Sequence, residues 1–150
     1  MTYLANHMLD RMKPMEPIEL RARRAALGLE QRELAEMLAC SPSVIEQWET
    51  GADEMSDPVS VDLVLQSAEN LADELLDRLE GWVEHASGVL DSPYVDIRTY
   101  GSDSELWASD AWCAEHGVRA SMHRTTAAWA ARLVRDGGIT ARIIQKMETA

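Results

Sequence analysis

Cysteine is scarce, with only Cys40 and Cys113 in a chain of 150 residues. Two thiols make no disulfide framework, and a cytoplasmic chain is the expectation. No apolar run approaches the roughly 20 residues that span a bilayer, so no membrane segment is expected. The start, Met1-Thr2-Tyr3-Leu4, lacks a basic region followed by an apolar one, so no signal peptide is expected either. There is no P-loop and no dinucleotide fingerprint. Cys113-Ala114-Glu115-His116 is a C-x-x-H with His123 beyond it, but a zinc site needs a second close pair, so no metal is expected. The acidic pairs Asp53/Glu54 and Asp73/Glu74 have no partner constellation for acid–base work, and His7, His85, His116 and His123 stand apart. The chain reads as no enzyme, with no cofactor. Internal repeats and low-complexity segments are also lacking.

Basic residues are few, 14 Lys+Arg against 26 Asp+Glu, for a formal net charge of −12. That balance argues against indiscriminate polyanion binding. The charge is uneven, however. Residues 1–51 carry −2, residues 52–91 carry −10 and residues 92–150 are neutral. Either end can therefore approach phosphate locally. The acidic middle reads first as a solvated helix face, and second as a segment that docks a basic partner. Hydrophobic residues make up 46% of the chain, enough to build one core or two small packed units.

Residues 1–14 read as a short helix or a frayed end, and Met15 as an alternative start. Pro17 opens a helix to about Ala26, which Leu27-Gly28-Leu29 ends through a left-handed Gly28. A second helix is expected from Gln31 to Ala39 and a third from Ser41-Pro42 to Thr50-Gly51. Their connections are short, so the three must pack on one another, with Leu34, Ala35, Leu38, Ile45 and Trp48 as the shared core. Asp57-Pro58 starts one long helix or two, ending near His85–Gly88, with a loop to Pro93. Leu63, Val64, Leu71, Leu75, Leu76, Leu79 and Val83 recur there at helical spacing. Residues 94–100 alternate like a strand. Ser102-Asp103-Ser104-Glu105 is a capping box that opens a helix to about His116. Residues 118–123 are a weaker strand candidate, and Thr125 a cap for a helix to about Asp136 that Gly137-Gly138 breaks. Ile139, Ile143 and Met147 repeat at four-residue spacing and predict a last short helix.

Residues 18–51, IELRARRAALGLEQRELAEMLACSPSVIEQWETG, carry the function. The third helix presents Ser43, Glu46, Gln47 and Thr50 outward at i, i+3, i+4 and i+7. All are polar and of short or medium length, which suits reading base edges and equally suits a solvated face. A DNA major groove admits one helix, held there by others. The segment resembles the helix-turn-helix of the phage-repressor family, of the Cro and xenobiotic-response-element type. Leu20, Arg24, Leu27-Gly28-Leu29, Gln31, Leu34-Ala35, Leu38, Ser41, Ile45, Trp48-Glu49 and Gly51 carry the likeness.

That resemblance implies DNA binding through Gln31, Arg32, Pro42, Ser43, Glu46, Gln47 and Thr50. Gln31 matches a phosphate-binding position. Gln47 matches a base reader, where a Gln suits adenine in a bidentate pair. Arg24 and Glu49 match a structural ion pair, and Trp48 a core position. Departures are informative. Pro42 stands where a polar reader is common. Ala52-Asp53-Glu54-Met55 replaces a loop that usually grips phosphate with basic residues. Glu30 replaces the usual Ser/Thr cap. Arg21, Arg23 and Arg32 remain as unpaired basic candidates, so one unit alone binds weakly and a dimer is needed. Cys40 is expected to be buried.

Residues 95–133 resemble the C-terminal region of a family of small bacterial and phage regulators that includes anti-CRISPR-associated autorepressors. Tyr100, Leu106, Trp107, Thr126, Ala127, Ala128 and Leu133 carry that likeness. It implies a strand–helix–strand–helix unit that dimerises, with Trp107, Trp112 and Trp129 in the dimer core; the alternative is that they fill a monomer's core. The expected fold is mainly α. An N-terminal extension (1–14) precedes a four- or five-helix lambda-repressor-like domain with its acidic helical segment (15–87). A small α+β dimerisation domain (88–150) follows. The expected function is a homodimeric autorepressor binding double-stranded DNA at an inverted repeat. One rival is an antitoxin whose second half neutralises a toxin, with the acidic segment 53–91 meeting a protein partner. The other is a protein-interaction module with a degenerate helix-turn-helix.

Overall fold

A computed structural model describes residues 15–145. The readings for residues 1–14 and for Met147 lie outside the described residues. Helix α1 spans Pro17–Ala26 and stops where Gly28 turns left-handed at φ +73°. Helix α2 covers Gln31–Met37. It ends short of the expected Ala39 because Ala39 itself is left-handed, at φ +54°, and the Cys40 N–H closes back on the Ala35 carbonyl at 3.0 Å. The absent Ser/Thr cap of α2 is replaced by Glu33, whose side chain accepts from the Glu30 N–H at 2.9 Å. Helix α3 covers Pro42–Thr50, with Pro in the first turn and Gly51 at φ +76° beyond its end.

Helix α4 is one element, Pro58–Leu90. Asp57 caps it by accepting from the Ser60 N–H at 3.1 Å, and hydrogen bonds from Ser60 hold the Asp57 carboxyl below its ordinary range. The helix runs past the expected end and stops at Asp91, with φ +48°, where the Ser92 N–H reaches the Ser87 carbonyl at 3.1 Å. Its buried stripe is Val61, Leu65, Ala68, Leu75 and Val83, while Leu63 is exposed.

The second half follows a different order from strand–helix–strand–helix. Strand β1 (Tyr94–Thr99) is followed by α5 (Asp103–Ser109), α6 (Ala111–His116), α7 (Ala120–Val134), a 3₁₀ turn (Arg135–Gly137) and strand β2 (Thr140–Gln145). The expected helix to His116 divides at Asp110, which is extended and caps α6 by accepting from the Cys113 N–H at 3.1 Å. Residues 118–123 are no strand. Gly117 ends α6 left-handed, and the Asp103 carboxylate accepts the Ala120 N–H at 2.7 Å, which starts α7 there. Thr125 therefore lies inside α7 and caps nothing. The tail is a strand, not a helix. Gly138, at φ +84°, redirects the chain, and the Thr140 N–H donates to the Pro93 carbonyl at 2.7 Å. β2 then pairs parallel to β1, from Tyr94↔Thr140 to Thr99↔Gln145. A parallel pair requires a long crossover, which α5 to α7 supply.

The main core joins α1, α2 and α3 to α4 and to Tyr100, Leu106, Cys113, Val118, Ala120 and Met122 of the second half. A smaller cluster packs Val83 of α4, Val95 and Ile97 of β1, and Ala127, Ala130 and Val134 of α7. Helix α4 thus serves both clusters. Trp129 is 51% exposed, so it is not part of this chain's own core. Trp107 is partly exposed, its Nε1 donating to the Val118 carbonyl at 2.7 Å. Cys40 is half-buried rather than buried. Among the described residues no helix is long and apolar enough to cross a membrane.

Candidate nucleic-acid interface

The candidate surface is the outer side of α3. Ile45 and Trp48 turn inward against Leu34 and Ala35, at 8% exposure or less. A fully buried Leu or Ile contributes about 1.5–3 kcal/mol, so these few side chains hold α3 firmly. The helical period then forces Ser43, Glu46, Gln47 and Thr50 outward, and all four are exposed.

The four are not equally free. The Thr50 hydroxyl donates to the Glu46 carbonyl at 2.9 Å, one turn back in its own helix. The Ser43 hydroxyl pairs with that of Ser41 at 2.9 Å. The side chains of Glu46 and Gln47 have no hydrogen-bond partner among the described residues. Pro42 is exposed in the first turn of α3 and offers no donor.

Arg24 and Glu49 lock the unit from inside. The Arg24 Nε donates to Glu49 Oε2 at 2.8 Å and Nη2 to Oε1 at 2.7 Å, while Nη1 donates to the Leu29 carbonyl at 2.8 Å. The Glu49 side chain is only 3% exposed, and its hydrogen bonds raise the Arg24 guanidinium above its ordinary value. One pair therefore ties α1 to α3 and to the turn before α2. Gln31 is half-buried beside it, its Nε2 donating to Glu49 Oε1 at 3.4 Å.

The basic residues divide. Arg23 is not an unpaired candidate. Its guanidinium turns onto α4, donating to Asp62 at 2.7 Å and to Glu69, with the Glu69 bond the largest cause of a raised guanidinium value. Arg32 is exposed, with Glu30 at 3.1 Å and Glu36 at 3.6 Å. Such exposed pairs contribute little and exchange readily. Arg21 is exposed and has no ion-pair partner among the described residues. Asp53 and Glu54 are exposed at the C-terminal end of α3, where the Asp53 N–H closes on the Gln47 carbonyl at 3.2 Å. Their charge adds to the negative end of the helix dipole.

A set of contacts that the sequence did not announce fixes this unit to α7. The Ser121 hydroxyl donates to Glu33 at 2.6 Å. Arg119 bridges Glu36 of α2 and Asp103 of α5. Gly28 lies so close to α7 that a Cβ there would stand 2.0 Å from the Thr125 hydroxyl oxygen. The available signal was Glu33 itself, a carboxylate next to the inward-facing Leu34. It became interpretable only once α7 began at Ala120.

Cys113 and His116 have separate surroundings. Cys113 is buried, and burial is the main cause pushing its thiol up to about 12. His116 stacks on Trp112 at 4.4 Å and donates from Nδ1 to the Trp112 carbonyl. Among the described residues no three His, Cys, Asp or Glu side chains are grouped to hold a metal ion.

Residues 18–65 match the family model of the helix-turn-helix domain, a span from α1 through the first two turns of α4 and about a third of the chain. Among curated proteins none matches the chain. The N-terminal part is a helix-turn-helix domain, and such a domain suggests a DNA-binding regulator.

Proposed function

We propose that the protein is a cytoplasmic, sequence-specific transcriptional repressor that binds an inverted-repeat operator as a homodimer and represses its own gene. The observation that carries this reading is the exposed polar face of α3, Ser43, Glu46, Gln47 and Thr50, on a helix locked by Arg24 and Glu49. Gln47 is assigned the base-reading role, because its amide has no partner among the described residues and pairs bidentately with adenine. Ser43 and Glu46 flank it. Thr50 offers its methyl and the lone pairs of its hydroxyl oxygen, whose proton is donated within the helix. Gln31 and Arg32 approach the phosphates, with Pro42 supplying only van der Waals contact.

One domain has few cations to offer, since Arg23 is engaged on α4 and the Asp53/Glu54 loop is acidic. Two copies double the contacts, with their α3 helices about one DNA turn (~34 Å) apart. Residues 15–87 are assigned to DNA and residues 88–150 to dimerisation. The exposed Trp129, Leu133 and Ile143 support a partner for that second part.

The test is a binding titration with labelled duplex from upstream of the protein's own gene against a scrambled duplex, at two salt concentrations. Tight, salt-sensitive and sequence-dependent binding is expected. Equal weakness on both duplexes by a confirmed dimer would assign the domain to protein interaction. The acidic face of α4 would then be the first surface to test against a toxin or another basic partner.

A further inference from the structure

A cavity of about 420 Å³ opens between α4, β1 and the N-terminal half of α7, away from α3. Its volume falls within the roughly 300–1,000 Å³ of small-molecule sites. Helix α4 supplies Leu75, Arg78, Leu79 and Trp82, at i, i+3, i+4 and i+7, so one helical face lines it. Tyr100, Ile97 and Ile144 extend the apolar and aromatic wall, and Arg98 and His123 add polar groups.

The charges are unbalanced in what they leave free. Of the two lining carboxylates, Asp96 pairs with Arg142 at 2.9 Å, while Asp110 caps α6 by accepting from the Cys113 N–H and keeps its charge without a cation among the described residues. Arg98 has no ion-pair partner among the described residues. Arg78 lies over the face of Trp112, 4.4 Å from its ring centre, which leaves its charge without a carboxylate hydrogen bond. His123 is 3% exposed, and its Nδ1 has no hydrogen-bond partner among the described residues.

We propose that this cavity binds a small organic anion with a flat apolar body, an aromatic carboxylate, its ring against Trp82 and Leu79 and its carboxylate toward Arg98 and Arg78. This site is independent of the DNA reading and stands or falls without it. His123 lies on α7 between Ser121 and Thr125, the residues that meet the helix-turn-helix. A ligand there alters DNA affinity only to the extent that it favours one placement of that turn.

The experiment uses the full chain and indole-3-acetate, with indole-3-acetamide as the uncharged control, followed by calorimetry and by amide chemical shifts. Saturable binding is expected, with the carboxylate about tenfold or more tighter than the amide, as a charge-assisted bond requires. Arg98 and Trp82 are both exposed, so their variants keep the fold. Arg98→Gln should remove the preference for carboxylate over amide. Trp82→Ala should weaken both probes alike. No saturation by either probe at millimolar concentration overturns the proposal. So does equal affinity for the two probes in the unmodified protein, or binding that survives both substitutions unchanged.

Discussion

The Ser121 hydroxyl of α7 donates to the Glu33 carboxylate of α2 at 2.6 Å, with Glu33 only 3% exposed. The same carboxylate oxygen accepts the Glu30 N–H. One buried oxygen therefore starts the second helix of the helix-turn-helix and fastens it to the C-terminal half. Ser121→Ala leaves that oxygen short of a donor. A loss of about 1.5–3 kcal/mol is expected, the worth of one hydrogen bond to a charged group, since the Glu30 N–H still reaches that oxygen. Urea unfolding should show a lower midpoint with an unchanged slope. An unchanged midpoint would mean that solvent replaces the hydroxyl and that the two halves are held elsewhere.

Gly28 meets the same helix through its backbone. A Cβ there would lie 2.0 Å from Thr125 Oγ1, 2.7 Å from Thr125 Cβ and 2.9 Å from the Ser121 carbonyl oxygen. Its φ of +73° adds roughly 1–2 kcal/mol for any residue with a Cβ. Gly28→Ala should destabilise by more than that strain alone. Adding Thr125→Ala should recover part of the loss, because it removes the hydroxyl and leaves the backbone strain. A double-mutant cycle measures the coupling. Strictly additive effects would show that α7 yields freely at this contact.

Most of the helix-turn-helix was legible because its information is local. Pro17, Pro42 and Pro58 mark helix starts, and Gly28 and Gly51 mark ends, so α1, α3 and the start of α4 follow from neighbouring residues. The third helix sorts into Ile45 and Trp48 inward and Gln47 outward by period alone. The second half was legible in class but not in order. Residues 118–123 have strand composition, yet the Asp103 carboxylate, distant in sequence, captures the Ala120 N–H and makes them helical. Ile139 and Ile143 repeat at helical spacing, yet β1 offers a parallel edge that local pattern cannot reveal. Arg23 looked available because Asp62 and Glu69 reach it only after α4 folds back. Long-range ion pairs and strand partners leave no trace at their own position.

Gln47 is the residue on which sequence preference should depend. Gln47→Ala should reduce specific DNA binding by about 1–3 kcal/mol, the worth of a good bidentate base contact. Its side chain is exposed, so the unfolding midpoint should stay put. Competition with operators varied base by base should show relaxed preference at one position in each half-site. Unaltered preference at every position would remove Gln47 from the reading set.

The acidic loop should act oppositely. Asp53→Lys with Glu54→Lys replaces two exposed carboxylates at the end of α3 with cations. Affinity should rise for specific and scrambled duplexes alike. The slope of log K against log salt should steepen by about 0.9 for each new phosphate contact. A slope identical to that of the unmodified protein would place this loop away from the DNA backbone.

Acid should weaken the fold through His123. Burial is the main cause holding this imidazole below its ordinary value, opposed by the negative charge of Asp110 and aided by the positive charge of Arg124. The unfolded chain takes up a proton near pH 6.5, whereas the folded chain resists. Below that pH the unfolded state therefore binds more protons, and stability must fall as pH falls. Above it both states are neutral and the residue contributes no pH dependence. His123→Phe removes this titration and leaves the carboxylates as they were. Between pH 6.5 and 5 the unmodified protein should lose stability faster than the variant, by at most about 1.4 kcal/mol per pH unit. Chemical unfolding of both proteins across that range measures the difference. Parallel curves would mean that the folded protein accepts the proton as easily as the unfolded chain, and that His123 has a partner for its charge.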